Sequence, residues 1–145
     1  MINQFKVVVS CVILNQTGQV LLGRRSLQED VYPGLWGIPG GKVEVEANGL
    51  NTIEETLIRE VEEEMGVQIK PRDYLESSVR VKGDEAKLYL IFSAVLVSGE
   101  PQPLEDTSEV GWFDLKDLSV EDLTPHTYQN IQLALAQSPR PLDQP

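Results

Sequence analysis

The sequence has a single cysteine, Cys11, so no disulfide can form within the chain and no cysteine cage can hold a metal. A reducing, cytoplasmic setting is the natural inference from that scarcity. It also has a single histidine, His126, just ahead of a helical stretch. There a cap or surface residue is commoner than a ligand, so His126 is left out of any metal site. Long apolar runs are missing: Leu88 to Val97, interrupted by Ser93, is about half the length a membrane-spanning helix needs. Val7 to Leu14 has the apolarity of a short signal core. It runs directly into Asn15-Gln16-Thr17-Gly18 with no small-residue cleavage pattern, and reads as a strand and a turn. Basic residues are few, 12 against 23 acidic, for a formal charge of −11. A chain this acidic is a poor holder of nucleic-acid polymers, and nothing in it suits a membrane.

What remains is ordinary globular material: 145 residues, 41% hydrophobic and 24% charged, enough for one core. The expected organisation is a single domain over residues 1–137 and a loose tail over 138–145, which holds three prolines. Phe5 to Leu14 is β-branched and apolar, a strand buried on both faces, and Gln19 to Arg24 reads as the returning strand. Ser26 to Gly41 is a glycine- and proline-containing loop around Trp36, followed by a short irregular stretch to Gly49. Thr52 and Glu55 have the spacing of a capping box, opening a helix that runs to Met65 and stops at Gly66. Val67 to Arg72 leads into Tyr74 to Lys82. A Gly83-Asp84 turn then joins that segment to Lys87–Val97 as a hairpin. Gly99 to Ser108 is an acidic loop and Val110 to Asp114 a short strand. Val120 to Ala136 is a closing helix, with a start after Pro125 as the alternative. Strands alternating with two helices make the class α/β, a mixed sheet with helices on both faces.

The charge is unevenly distributed. Eight glutamates lie between Glu44 and Glu64, and removing them would leave −11 + 8 = −3. On a helix advancing about 100° per residue, Glu63 and Glu64 fall at about 300° and 40° from Glu60, so the three share an arc of about 100°. Like charges at these spacings destabilise a helix, and near its C-terminus they also oppose the dipole. An acidic face turned to solvent is the plain alternative. A hard divalent cation such as Mg²⁺, which prefers carboxylates, water and phosphates, would remove the conflict. Upstream, Leu35-Trp36-Gly37-Ile38-Pro39-Gly40-Gly41-Lys42-Val43-Glu44 adds paired glycines that let backbone approach a ligand, so the Gly40 carbonyl is a further oxygen donor.

These residues resemble the Nudix hydrolase family, the MutT-like nucleotide pyrophosphohydrolases. Arg59-Glu60-Val61-Glu62-Glu63-Glu64-Met65-Gly66-Val67 matches the second half of that family's box at every specified position, and Gly41 matches its opening glycine. The middle departs: Asn51 stands where the box has Glu, and Gly41 and Arg59 are four residues further apart than the pattern. Glu44 and Glu46 are candidates to replace that upstream acid, and Asn51 to serve the helix cap. The resemblance implies an α/β/α sandwich holding Mg²⁺, with Mn²⁺ able to substitute, on Glu60, Glu63, Glu64 and the Gly40 carbonyl. Arg59 would hold a helix carboxylate, and Glu62 would face solvent.

The implied reaction is attack of water on phosphorus in a nucleoside triphosphate or another nucleoside diphosphate derivative, with Glu60 and Glu63 catalytic. An acidic protein can then bind an acidic substrate, because cations lie between them. Asp106 and Glu109, with Glu105 beside them, are the candidate bases. Arg25 resembles a phosphate-contacting arginine, and Trp36 and Tyr32 are candidates to stack a base, although loop aromatics often pack onto the core instead. Two subfamily markers are missing. Thr127 stands where an amide reads oxidised guanine, and Val81 where ADP-ribose hydrolases carry proline. The alternatives are therefore an ADP-ribose or nucleotide-sugar pyrophosphatase, and a catalytically silent nucleotide-binding module. The partner is a small nucleotide, and the resemblance allows a homodimer.

Overall fold

A computed structural model of the protein describes residues 4–44 and 49–137. Its centre is a strand pair distant in sequence. β1 (Gln4–Leu14) runs parallel to β6 (Glu85–Ser98) in unbroken register from Gln4↔Glu85 to Leu14↔Val95. β5 (Gln68–Lys82) lies antiparallel to β6 at one edge. On its other side β1 pairs with β4 (Gly40–Lys42) and, at Leu14↔Val20, with β2 (Val20–Arg25). β2 in turn carries β3 (Trp36–Gly37) and β7 (Thr107–Phe113), completing seven strands.

The alternation of side chains along β1 separates two cores. Val9, Cys11 and Ile13 point to one face, where they are buried with Leu57, Val61 and Met65 of α1 (Thr52–Met65). Val12 points to the other, with Val20, Leu22 and with Ile131 and Ala134 of α2 (Thr127–Ala136). One helix on each face gives the α/β/α sandwich that the sequence leads one to expect. No helix among the described residues is long and apolar enough to cross a membrane.

Several local expectations are corrected. The capping box does not form. Thr52 is already helical, Asn51 holds the N-cap position in a left-handed conformation (φ 58°), and no side chain caps the helix. Thr56 instead donates its hydroxyl to the Thr52 carbonyl at 2.7 Å. The stretch expected as a loop from Ser26 to Gly41 contains the short strand β3 and the first two residues of β4. Of the two starts expected for the closing helix, the one after Pro125 is observed: it begins at Thr127, preceded by a 3-10 turn over Val120–Asp122, because Pro125 interrupts the run and His126 turns left-handed (φ 68°). Val45, Glu46 and the tail 138–145 lie outside the described residues.

Candidate active site

The glutamate helix ends at a cleft of about 250 Å³. Gly66, left-handed at φ 70°, stops the helix by donating its N–H to the Glu62 carbonyl. The chain that follows β6 then folds back over that end. Gln102 donates its N–H to the Met65 carbonyl (2.9 Å) and Leu104 to the Glu64 carbonyl (3.0 Å). Orphan carbonyls at the helix end are thereby satisfied, and the acidic loop is fixed above Glu60 and Glu64. Glu105 sits in this loop with φ 51°, and Ser26 donates its N–H to the Asp106 carbonyl (2.9 Å), tying the loop to the end of β2.

Five acids line the cleft, Glu60, Glu64, Glu105 and Asp106 together and Glu29 with Arg24 and Arg25 on the β2 side. The Glu60 carboxylate presses on Gly41: a Cβ there would stand 2.6 Å from its Oε2. The Gly40 N–H holds the Glu64 carboxylate. Pro39 accepts from Cys11 (3.0 Å) and Val43 donates to Val7 (2.8 Å), so by the antiparallel alternation the peptide groups of Gly40 face away from β1. The paired glycines thus matter because two glutamates need the space and the backbone donor.

The electrostatics follow from that crowding. Burial above all, then the neighbouring charges of Glu60 and Glu105, raise the Glu64 pKa to about 8 against the opposing pull of the Gly40 N–H and Arg25. Glu60 is raised in the same direction, chiefly by burial and then by Glu63 and Glu105, while Arg59 opposes. Such carboxylates are short of positive charge. Among the described residues no three acidic side chains meet as a ready-made cage. The donor set still fits a hard divalent ion held by one or two carboxylates at a time, with water and substrate phosphates completing its shell.

Not every expected residue reaches the cleft. Glu63 does not line it: its carboxylate is half exposed and stands 3.9 Å from Arg59 Nε. Glu109 pairs with Arg24 Nη1 at 3.2 Å, leaving Glu105 and Asp106 as the loop acids at the cleft. Arg25 does line it, anchored by Nε to the Val31 carbonyl (2.7 Å) and facing Glu29 at 3.8 Å. Trp36, expected to stack a base, sits away from the cleft. Its ring packs edge-on against Phe113 (4.9 Å) in the core under α2, as apolar burial demands, and does not line the cleft. Tyr32 is elsewhere, beneath the Arg80 guanidinium, which lies 5.3 Å from its ring centroid and donates to its hydroxyl.

Tyr32 instead lines a second chamber of about 380 Å³ with Leu35, Leu123, Tyr128, Gln129 and Gln132, which meets the acidic cleft at Thr124. Thr127 is buried with its hydroxyl 2.6 Å from that of Thr124, and His126 caps α2 through its carbonyl. Sequence reasoning missed Glu29 and Thr124. The Arg25–Glu29 spacing was a weak signal for the first, and nothing local signalled the second.

An acidic cleft flanked by arginines on an α/β/α sandwich has the charge pattern suited to hydrolysis of phosphate compounds. The NUDIX domain model matches residues 4–134, and the chain belongs to the Nudix family of hydrolases. It is 30% identical over 136 residues to the nucleoside triphosphatase NudI of Escherichia coli, covering 86% of this chain and 94% of that one. A MutT Nudix hydrolase from Burkholderia pseudomallei superposes with a TM-score of 0.74 at 30% identity, covering 90% of this chain and 98% of the other. An ADP-ribose pyrophosphatase from Streptococcus suis superposes at 0.62 with 25% identity, over 90% and 87%. The family generally uses divalent metals and acts on small nucleotides.

Proposed function

We propose that this protein is a Mg²⁺-dependent pyrophosphohydrolase of nucleoside triphosphates, cytoplasmic, built as one domain over residues 1–137 and assembled as a homodimer. The observation that carries this reading is the junction at Thr124. There a cleft of carboxylates and arginines borders a larger cavity lined by Tyr32, Leu35, Leu123 and Tyr128, the two sharing Thr124 as a wall. A nucleoside polyphosphate has the matching halves, an anionic chain and a flat, largely apolar base.

Glu60, Glu63, Glu64 and the Gly40 carbonyl would hold the ions, Mn²⁺ serving in place of Mg²⁺; Glu63 reaches them once it leaves Arg59. Bound divalent cations neutralise phosphate oxygens and acidify a bound water. Arg25, with Arg24 beside it, binds phosphate oxygens from the β2 side. Asp106, or its neighbour Glu105, accepts the proton of the attacking water, and its attachment to Ser26 fixes it relative to Arg25. Tyr128 lines the cavity that would take the base, together with Tyr32, whose ring already carries the Arg80 guanidinium. Closing these walls around substrate excludes bulk water, which strengthens each charge interaction inside.

A panel of nucleoside triphosphates, ADP-ribose and nucleotide sugars assayed with Mg²⁺ or Mn²⁺ tests the reading. Triphosphates are expected to turn over best, releasing pyrophosphate or phosphate. The resemblance to the Streptococcus suis enzyme supports a nucleotide-sugar substrate as the second reading, and preferential turnover of ADP-ribose would establish it. A silent module would bind a triphosphate analogue equally well in Mg²⁺ and in EDTA. The enzyme is expected to bind it more tightly in Mg²⁺.

A further inference from the structure

β5 is the last strand of the sheet, and its outer edge has no partner strand among the described residues. Half of that edge is disrupted. Its pairing with β6 shifts register between Gln68 and Ile69, between Pro71 and Tyr74, and between Tyr74 and Glu76. Bulges of this kind bend an edge and protect it from foreign strands. From Glu76 to Lys82 no shift occurs, and residues 77 to 82 are all exposed. Val79 and Val81 are exposed by 54% and 56% on one face of this arm. A straight, exposed, partly apolar edge is a template for one more strand.

This stretch is also complementary to itself. Laid antiparallel about Val79, it sets Glu76 opposite Lys82 of the partner subunit and Ser78 opposite Arg80 of the partner subunit. Ser77 meets Val81 of the partner subunit, and Val79 meets its own copy. Both ends then carry opposite charges and the apolar face is continuous across the axis, the arrangement that stabilises cross-strand pairs. Glu76 is already fixed in place by Gln129 and Asn130 of α2. Lys82 has no ion-pair partner among the described residues.

We infer that a second copy of this chain docks on β5, residues 76–82 of each pairing antiparallel about Val79 to make one continuous sheet. The inference rests on the homodimer proposed above and assigns its interface. In an isologous contact each substitution acts twice. Equilibrium sedimentation of the full chain therefore tests it well. The unaltered protein is expected to be dimeric. Lys82→Glu is expected to raise the dissociation constant about tenfold or more, since it sets like charges face to face at both ends. The double reversal E76K/K82E is expected to bring it back. Val79→Asp, which opposes two carboxylates on the axis without touching α2, is expected to yield a folded monomer with native circular dichroism, melting where the unaltered protein melts once diluted below its dissociation constant; it decides the matter if the double reversal unfolds. A dimer indifferent to both Lys82→Glu and Val79→Asp would overturn this interface while leaving the homodimer. A monomer at every concentration would overturn both.

Discussion

Gly40 and Gly41 are neighbours with different tasks, and substitution separates them. A Cβ on Gly40 would fall within van der Waals contact of the Val9 carbonyl and 2.6 Å from Ser10 Cα, both backbone atoms that cannot step aside. Gly40→Ala is expected to cost stability on the scale of an overpacked core, about 1–3 kcal/mol, measured by urea unfolding. At Gly41 the obstruction is only the Glu60 carboxylate, the free end of a side chain. Gly41→Ala is expected to fold normally and to lose turnover because Glu60 is displaced. Glu64 gives a prediction with a definite sign. Its carboxyl holds its proton to about pH 8 in the folded protein, against an ordinary value of 4.5. Without metal, the folded state therefore binds the extra proton and loses stability as pH climbs through that window. Glu64→Gln should abolish this loss, melting higher than the unaltered protein in EDTA near pH 8 while showing little hydrolysis. Glu63→Gln should remain folded and lose turnover by orders of magnitude in Mg²⁺; unchanged activity would remove Glu63 from the machinery.

At the scale of elements, the legible features were those written in neighbouring residues. The helix over Thr52–Met65 and the turn at Gly83-Asp84 follow from period and turn chemistry, and both stand in the structure. The parallel partnership of β1 and β6 could not be read, since it joins Gln4 to Glu85, 81 positions away. The same limit applies to the site. Glu60 and Glu64 announce themselves one turn apart, whereas Glu29 and Thr124 enter the cleft from segments that only the sheet brings near. The capping box fails because Thr52 satisfies a spacing rule while Asn51, left-handed, takes the N-cap position without a side-chain hydrogen bond. Asn51→Gly should relieve that conformation and raise stability by less than about 1 kcal/mol, seen as a higher urea midpoint with the same slope.

For the molecule as a whole, a charge of −11, much of it gathered around one helix, puts the folded state under self-repulsion, which the divalent ions proposed above would relieve. Millimolar Mg²⁺ is expected to raise the melting temperature well beyond what sodium chloride of equal ionic strength achieves, because binding to the native state alone adds about 2.7 kcal/mol at a hundredfold excess over the dissociation constant. Removing the ions with EDTA should return the original curve.

The pairing of β1 with β6 bears on how the protein is made. A nascent chain carries its first strand out of the ribosome long before the strand that will lie beside it exists, since their register begins at Gln4 and Glu85. Until then the apolar run from Val7 to Leu14 must wait without its neighbour. Folding of such distant partners is slow relative to helical proteins of the same size. A chain stalled before Glu85 should therefore be a client for chaperones and an easy target for proteases, whereas one released after Phe113 has every strand of the sheet at hand.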